Sequence, residues 1–309
     1  MDLEIACVIV TYNRKALLHR CLDAVLKQTF KPKCVYITDN ASTDGTIDLV
    51  KDSGFYNCIK NGIEFKYIQN SKNEGGAGGF YIGMKTATED AAYDALWVMD
   101  DDGEPKEDCL KHLVPYLNKY DYIAPIVLSD KDHITCSFSE SGESLSQFCV
   151  EKGVRAGVID KWASPFNGIL YSKRLIKTIG YPKKEMFIWG DERNYDMRAI
   201  KYGFVPITII SAIHYHPVNR QVYIPYRWGF VVGETIDWKL YCLIRNTCYN
   251  NTRFSSNRFK SVLSCFSLGL LYFLYFKDKQ NSNKFSLIFN AVFGGLFGCF
   301  GGERKYMKK

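Results

Sequence analysis

The sequence has no Cys-x-x-Cys pair, and its 11 cysteines are odd in number and scattered. That pattern excludes a paired disulfide framework and the usual zinc spacings. Several cysteines (Cys7, Cys34, Cys265) sit in apolar runs, where a free thiol behaves as a small hydrophobe. The start also lacks the basic region of a secretory signal. Met1 to Glu4 carries acids, and Ile5–Val10 is too short for a signal core. Both absences lead to the expectation of a cytoplasmic protein with reduced thiols. No apolar run reaches the roughly 20 residues of a spanning helix; Val262–Phe276 and Phe285–Gly302 both fall short and read as interfacial helices or as a buried helical pair. Acids are few from Lys239 onward, where much of the +7 net charge collects. No zinc-finger, leucine-zipper or RNA-recognition signature accompanies that charge, so nucleic acid is set aside. An anionic membrane surface or a phosphorylated substrate remains.

What is present is a regular alternation. Ile5–Val10 reads as a buried strand, followed by Leu18, Leu22 and Val25 at helical spacing. Cys34–Thr38, Phe65–Ile68 and Leu96–Met99 read as further strands, with helices over Thr46–Lys51 and Gly79–Ala92. Strands alternating with helices predict a parallel sheet covered on both faces, with ligands beyond the carboxyl ends of its strands. Thr11, Asp39, Asn73 and the run Asp100-Asp101-Asp102 all fall at such ends. The stretch from Asp121 to Ile210 reads as β-rich, with a helix from Asp191 to Lys201.

Three segments carry chemistry. The first is Trp97-Val98-Met99-Asp100-Asp101-Asp102. Adjacent carboxylates repel unless a cation or solvent compensates them, and alternation along an extended segment lets Asp100 and Asp102 point the same way. Two such oxygens suit Mg²⁺ or Mn²⁺ with diphosphate oxygens completing the shell; a solvated acidic turn before Gly103 and Pro105 is the plainer alternative. The second is the polar loop Asp39 to Thr46, in which Asp39 is placed to accept from a base or ribose and Ser42 or Asp44 to cap a helix. The third is Asn73-Glu74-Gly75-Gly76-Ala77-Gly78-Gly79-Phe80, whose glycines let backbone approach a ligand. It is neither a dinucleotide fingerprint nor a P-loop, since Met84 stands where the P-loop lysine would be.

As a set these segments resemble the family 2 inverting glycosyltransferases, from Val8-Ile9-Val10-Thr11-Tyr12-Asn13-Arg14 through the Asp39 loop to the triple aspartate. Ser164-Pro165-Phe166-Asn167-Gly168 is similar to the acceptor-side loop, Phe187-Ile188-Trp189-Gly190-Asp191-Glu192 to the catalytic-base motif, and Tyr241 to Asn246 to a late Arg-Asn signature. The glycine loop combined with Trp-x-Met-Asp-Asp-Asp most resembles galactofuranosyltransferases, with rhamnosyltransferases sharing most of the scaffold. The resemblance implies an α/β fold of the GT-A type: a Rossmann-like nucleotide-binding sheet merged with an acceptor-binding half over residues 1–230, plus a basic, aromatic helical region over 231–309 that is a candidate for membrane association.

Carried over by position, the resemblance places the nucleotide sugar against Thr11, Tyr12, Asn13, Arg14, Asp39, Asn73, Gly75, Gly76, Gly78 and Asp101. It gives Mn²⁺ or Mg²⁺ to Asp100, Asp102 and His214, with His216 able to substitute, and the acceptor to Trp189, Phe166, Asn167, Gly168 and His216. The family commonly reads Glu-Asp at the base, whereas this chain reads Asp191-Glu192; register favours Glu192. The implied reaction is one in-line displacement with inversion, from UDP-galactofuranose or dTDP-rhamnose. Its acceptor is an oligosaccharide or lipid-linked saccharide at the inner face of the cell membrane. A non-catalytic sugar-nucleotide or glycan-binding subunit on the same fold is the alternative of another class, and a nucleotidyltransferase is a third.

Overall fold

The computed structural model describes residues 3–139, 142–164, 166–218, 222–281 and 284–307. Pro165 of the acceptor-side motif therefore lies outside the described residues. The chain forms two compact units: Met1–Pro182 with Arg198–Asn219, and Lys183–Met197 with Arg220–Lys309. Where the sequence suggested one boundary near residue 230, the second unit also takes in the segment carrying Trp189, Asp191 and Glu192.

In the first unit, β1 (Ile5–Thr11), α1 (Lys15–Leu26), β2 (Cys34–Asp39), α2 (Thr46–Asp52), β3 (Cys58–Lys60), β4 (Ile63–Gln69), α3 (Gly75–Asp90) and β5 (Ala95–Asp100) follow in order. After them come β6 (Glu104–Pro105), α4 (Cys109–Leu113), β7 (Tyr122–Ser129), α5 (Leu145–Lys152), β8 (Val158–Asp160), β9 (Asn167–Ser172), α6 (Lys173–Ile179), α7 (Asp191–Lys201) and β10 (Ile207–His216). α7 begins in the second unit and ends in the first. One ten-stranded sheet runs β3-β4-β2-β1-β5-β9-β7-β10-β6, with β8 also on β10. β4, β2, β1 and β5 are parallel, as the alternation predicts. β3 and the strands beyond β5 make the sheet mixed, because β9 runs antiparallel to both β5 and β7.

Every residue of β1 and β2 is buried, which is why these strands read as continuous apolar runs. α1 lays Leu18, Cys21, Leu22 and Val25 on the sheet. Trp97 of β5 is wholly buried, and its indole N–H donates to the Gly168 carbonyl at 2.9 Å. Trp97→Ala should cost about 3–5 kcal/mol in denaturant unfolding; a loss below about 1 kcal/mol would contradict this packing.

The glycine-rich segment differs from its expected form. It is the opening of α3, which starts at Gly75 rather than Gly79, so Gly79 and Gly83 act as close-packing positions against the sheet. A Cβ on Gly79 would lie 2.4 Å from Val10 Cγ1, and one on Gly83 2.5 Å from Thr38 Oγ1. Gly83→Val should destabilise the protein by about 1–3 kcal/mol through overpacking, read as a fall in Tm with unchanged secondary structure.

The second unit contains a hairpin, β11 (Tyr223–Tyr226) and β12 (Gly229–Val232), and three helices, α8 (Asp237–Phe254), α9 (Arg258–Asp278) and α10 (Phe285–Phe297). Their shared core includes Leu240, Ile244, Cys248, Leu271, Tyr272, Ile288 and Val292. α9 has 21 residues, longer than the apolar stretch that marked it, because Arg258, Lys260 and Lys277 extend it at both ends. Among the described residues it is the one helix long and apolar enough to cross a membrane.

Candidate active site

The carboxyl ends of β1, β2 and β5 bring Thr11, Asp39 and Asp100 side by side. The chain turns directly after Asp100, and each following carboxylate finds a different partner. Asp101 accepts from Thr11 Oγ1 at 2.7 Å and from Arg14 Nη1 at 3.2 Å. Asp102 accepts from the same Arg14 nitrogen at 2.9 Å and pairs with His216 Nε2 at 3.1 Å. Arg14 thus spans two of the three acids while remaining half-exposed.

The loops after β1, β2 and β4 are tied to one another. Asn13, in the left-handed region at φ 52°, donates its N–H to Ser42 Oγ and accepts from the Thr43 N–H. Asp44 accepts from the Lys15 and Thr46 N–H groups. Asn40 donates to the Gly75 carbonyl at 2.9 Å and accepts from Asn70 at 2.9 Å, linking all three strand ends to the first turn of α3. Asp39 is fully buried and accepts from the Ser42 N–H and the Tyr67 hydroxyl. Asn73 caps the Gly75 N–H at 2.7 Å, whereas beside Gly76 there is open space. Tyr12 is exposed at the rim.

Electrostatically, the acidic run is under-compensated. Burial, then the neighbouring charges of Asp102 and Asp101, raises Asp100 well above the usual carboxylate range. Burial raises Asp101 to about 6 despite Arg14. Asp102 is also penalised by burial, but the His216 hydrogen bond and Arg14 outweigh it and hold the group low. His216 is raised in turn, its Asp102 partner overcoming burial. For Asp100 and Asp101 the folded state binds the proton more tightly than the unfolded chain. Their contribution to stability is therefore present at low pH and lost as pH rises, through about 6 for Asp101.

His214 stands apart from this network. It is fully buried, neither ring nitrogen has a hydrogen-bond partner among the described residues, and burial lowers it to about 3. Its ring fits between two glycines: a Cβ on Gly103 would lie 2.2 Å from Nε2, and one on Gly168 2.8 Å from Nδ1. The structure thus brings His216 to Asp102, where the sequence put His214 first.

Among the described residues no three His, Cys, Asp or Glu side chains converge as a ready-made cage. The donors present, carboxylate oxygens and one imidazole under excess negative charge, suit a hard divalent ion that takes its remaining ligands from phosphate.

Phe166, Asn167 and Gly168 are buried at the start of β9 rather than on an open loop. The Phe166 carbonyl accepts from the Asp100 N–H at 3.2 Å, and its ring stacks on Phe80 at 4.4 Å. These residues back the acidic turn.

In the second unit, Asp191 and Glu192 open α7, where negative charge complements the helix N-terminus. Asp191 is buried; Glu192 is half-exposed, and its Oε2 accepts from the Gly190 N–H at 3.1 Å. The segment before them is strained at Phe187 and Trp189, whose φ are 68° and 57°, while Gly190 takes its φ of 87° without cost. For a bulky residue such a backbone costs about 1–3 kcal/mol. Asn246 of α8 donates to the carbonyls of Met186, Ile188 and Trp189, and Asn250 to that of Gly190. Lys239 lies 5.7 Å from the Trp189 ring centre and 5.6 Å from that of Trp238.

Residues 6–142 match the family model described as Glycosyl transferase family 2. The galactofuranosyltransferase GlfT1 of Mycobacterium tuberculosis is 30% identical over 236 residues, 74% of this chain and 75% of that protein. The chain belongs to glycosyltransferase family 2. A second relative, GlfT1 of Mycolicibacterium smegmatis, is 27% identical over 236 residues, 73% of this chain and 75% of its own length. Solved structures share the fold. S. aureus TarS 1-349 in complex with UDP-GlcNAc aligns over 95% of this chain and 82% of its own, with a TM-score of 0.59 and 14% identity. The mannosyltransferase PcManGT of Pyrobaculum calidifontis, in complex with GDP-Man and Mn²⁺, covers 97% of this chain and 88% of its own, with a TM-score of 0.55 and 14% identity.

This family 2 chain is thus a nucleotide-sugar-dependent glycosyltransferase with a saccharide acceptor, on a mixed α/β, GT-A-like fold. Sequence reasoning passed over Asn40, Asn250 and the pairing role of Arg14. An asparagine directly after a strand gives no sign that it will bridge three loops, and Asn250 carries a signal only as the residue one helical turn beyond Asn246.

Proposed function

We propose that this family 2 enzyme is an inverting, divalent-metal-dependent galactofuranosyltransferase, using UDP-galactofuranose and a lipid-linked saccharide in cell-surface polysaccharide synthesis. The likeness to two proteins named galactofuranosyltransferase, over about three-quarters of both chains, supports the donor. The observation that carries the chemistry is the under-compensated acidic run at the strand ends, with Asp101 buried and Asp100 and Asp102 partly so. In this reading Asp100, Asp102 and His216 hold the ion. When bound, Mn²⁺ or Mg²⁺ supplies Lewis-acid relief of the charge that develops on the departing diphosphate.

The chain's own residues do the rest. Thr11 and Arg14 fix Asp101 toward the donor ribose or sugar, and Asp39, braced by Ser42 and Tyr67, accepts from the uracil. The Gly75–Gly76 turn gives the donor close access to backbone. Glu192 takes the acceptor hydroxyl's proton as that oxygen attacks the anomeric carbon. It is preferred to Asp191 because Asp191 is buried, while Glu192 is half-exposed and oriented through one oxygen by Gly190. Trp189 offers a ring face to the acceptor sugar.

Nucleotide release from UDP-galactofuranose, UDP-galactose and dTDP-rhamnose, with the product's anomeric configuration read by NMR, tests the donor and the stereochemistry. Release from the furanose donor alone, with inversion, is expected. Release from dTDP-rhamnose alone would overturn the donor, and retention would overturn the single displacement. UDP binding without turnover on any donor or acceptor would favour a sugar-nucleotide-binding subunit.

Localisation at the cytoplasmic membrane face is part of the proposal. Phe259, Leu263, Phe266 and Leu270 are all exposed at four-, three- and four-residue spacing along α9, beside Arg258 and Lys260. Such a stripe lies on a lipid surface with its bases on anionic headgroups. The double substitution Phe259→Glu with Phe266→Glu should abolish co-sedimentation with anionic vesicles; unchanged sedimentation would sink this placement.

A further inference from the structure

The segment that presents Glu192 is strained yet held, and what holds it reaches to the end of the described chain. Arg245 of α8 is completely buried. Its Nη2 donates to the Met186 carbonyl at 2.7 Å, its Nε to Asn246 Oδ1 at 2.9 Å, and its Nη1 pairs with Glu303. The Nε bond orients the Asn246 amide, whose nitrogen faces three carbonyls of the neighbouring segment, those of Met186, Ile188 and Trp189. Glu303 is itself buried, in a short 3-10 helix over Gly302–Tyr306.

The backbone around this link is shaped to let it form. A Cβ on Gly302 would lie 2.2 Å from the Tyr241 hydroxyl, and one on Gly295 2.4 Å from the Arg245 carbonyl. Only glycine lets α10 and the terminal segment approach this close to α8. Gly190, at φ 87°, meets Asn246 Cβ at 3.1 Å from its would-be Cβ. All of these groups belong to the second unit.

We infer that Glu303 is a positioning residue for the transfer reaction: through Arg245 and Asn246 it locks the strained Met186–Gly190 segment and so fixes where Glu192 points. The inference rests on Glu192 as the base. Without the Glu303 carboxylate the buried Arg245 Nη1 must turn to another acceptor, and that movement draws Nη2 and Nε away from the Met186 carbonyl and Asn246 Oδ1. Loss of Glu303 therefore loosens the segment instead of merely removing a surface contact.

The test is Glu303→Gln, with Glu192→Gln alongside. Glu303→Gln should lower kcat by about 10²-fold, the scale of a roughly 1 Å misplacement of a reacting group, with UDP affinity within about two-fold of wild type. Hydrogen exchange should quicken at Ile188, Trp189 and Gly190, ahead of any change in the first unit's sheet. Wild-type kcat and exchange in Glu303→Gln, while Glu192→Gln is inactive, would overturn the positioning role and leave the base in place. Should Glu192→Gln keep full turnover, the base assignment fails on its own; exchange at Ile188–Gly190 in Glu303→Gln then decides the brace, faster supporting it and unchanged overturning it. If Glu303→Gln does not fold, Glu303→Asp, with the same charge drawn back by one methylene, provides the same comparison with a smaller kcat loss expected. Arg245→Lys should match Glu303→Gln, since a single ammonium cannot serve both Glu303 and Met186.

Discussion

Glu192→Gln should lower kcat by about 10²–10⁴-fold, the usual contribution of a general base, while UDP binding is unchanged. That range is about 2.7–5.5 kcal/mol of barrier. The amide keeps the size of the side chain and can still take the Gly190 N–H through its oxygen, so the strained segment and the start of α7 stay in place. What disappears is the proton acceptor. Asp191→Asn makes the counter-test: Asp191 is buried at the helix start, so its replacement should act on stability more than on the chemical step. Single-turnover transfer and UDP calorimetry on the two variants separate the roles. A larger kcat loss in Asp191→Asn than in Glu192→Gln, at equal UDP affinity, would reverse the assignment.

Asp102→Asn is the second substitution expected to remove most activity, by at least about 10²-fold. Asp102 is the acid on which Arg14 and His216 converge. The neutral amide would leave a half-buried arginine and an imidazole facing each other without their shared anion. The variant should also lose most of the thermal stabilisation that Mn²⁺ gives. In the wild type, that stabilisation should be larger at pH 7.5 than at pH 5.5. Asp100 and His216 both hold their protons more tightly than the free groups do, the first through burial, the second through Asp102. An ion must displace more of those protons at the lower pH than at the higher. A Mn²⁺-induced rise in Tm that is equal at both pH values, or larger at 5.5, would contradict the placement of the ion.

Much of the fold was legible because it rests on periodicity. β1, β2 and β5 are buried on both faces or nearly so, and their apolar runs said as much, whereas β4 buries only Ile63 and Phe65. The polar residues breaking those runs, Thr11, Asp39 and Asp100, do fall together at adjacent strand ends. Less was legible where long-range packing decides. The glycines before Phe80 read as a loop because glycine disfavours helix, but the close approach of α3 to Val10 and Thr38 requires glycine at 79 and 83, and the helix absorbs the whole segment. His214 and His216 share a strand face and cannot be told apart by spacing. Gly103 and Gly168 bury one ring, and Asp102 receives the other. The brace joins Glu303 to Arg245, 58 positions apart, and Arg245 to Met186, 59 apart, with no periodic signature to mark it.

The central claim is that the acidic run at the strand ends serves nucleotide-sugar transfer with a divalent ion. The direct test is UDP release from UDP-galactofuranose with a bacterial lipid-linked acceptor, measured in Mn²⁺, after EDTA, and after Mn²⁺ is restored. Release that stops with EDTA and returns with Mn²⁺ is the predicted result. Release that continues at full rate in EDTA would contradict it, leaving Arg14 and His216 as the compensating charges and the carboxylates without an ion to hold.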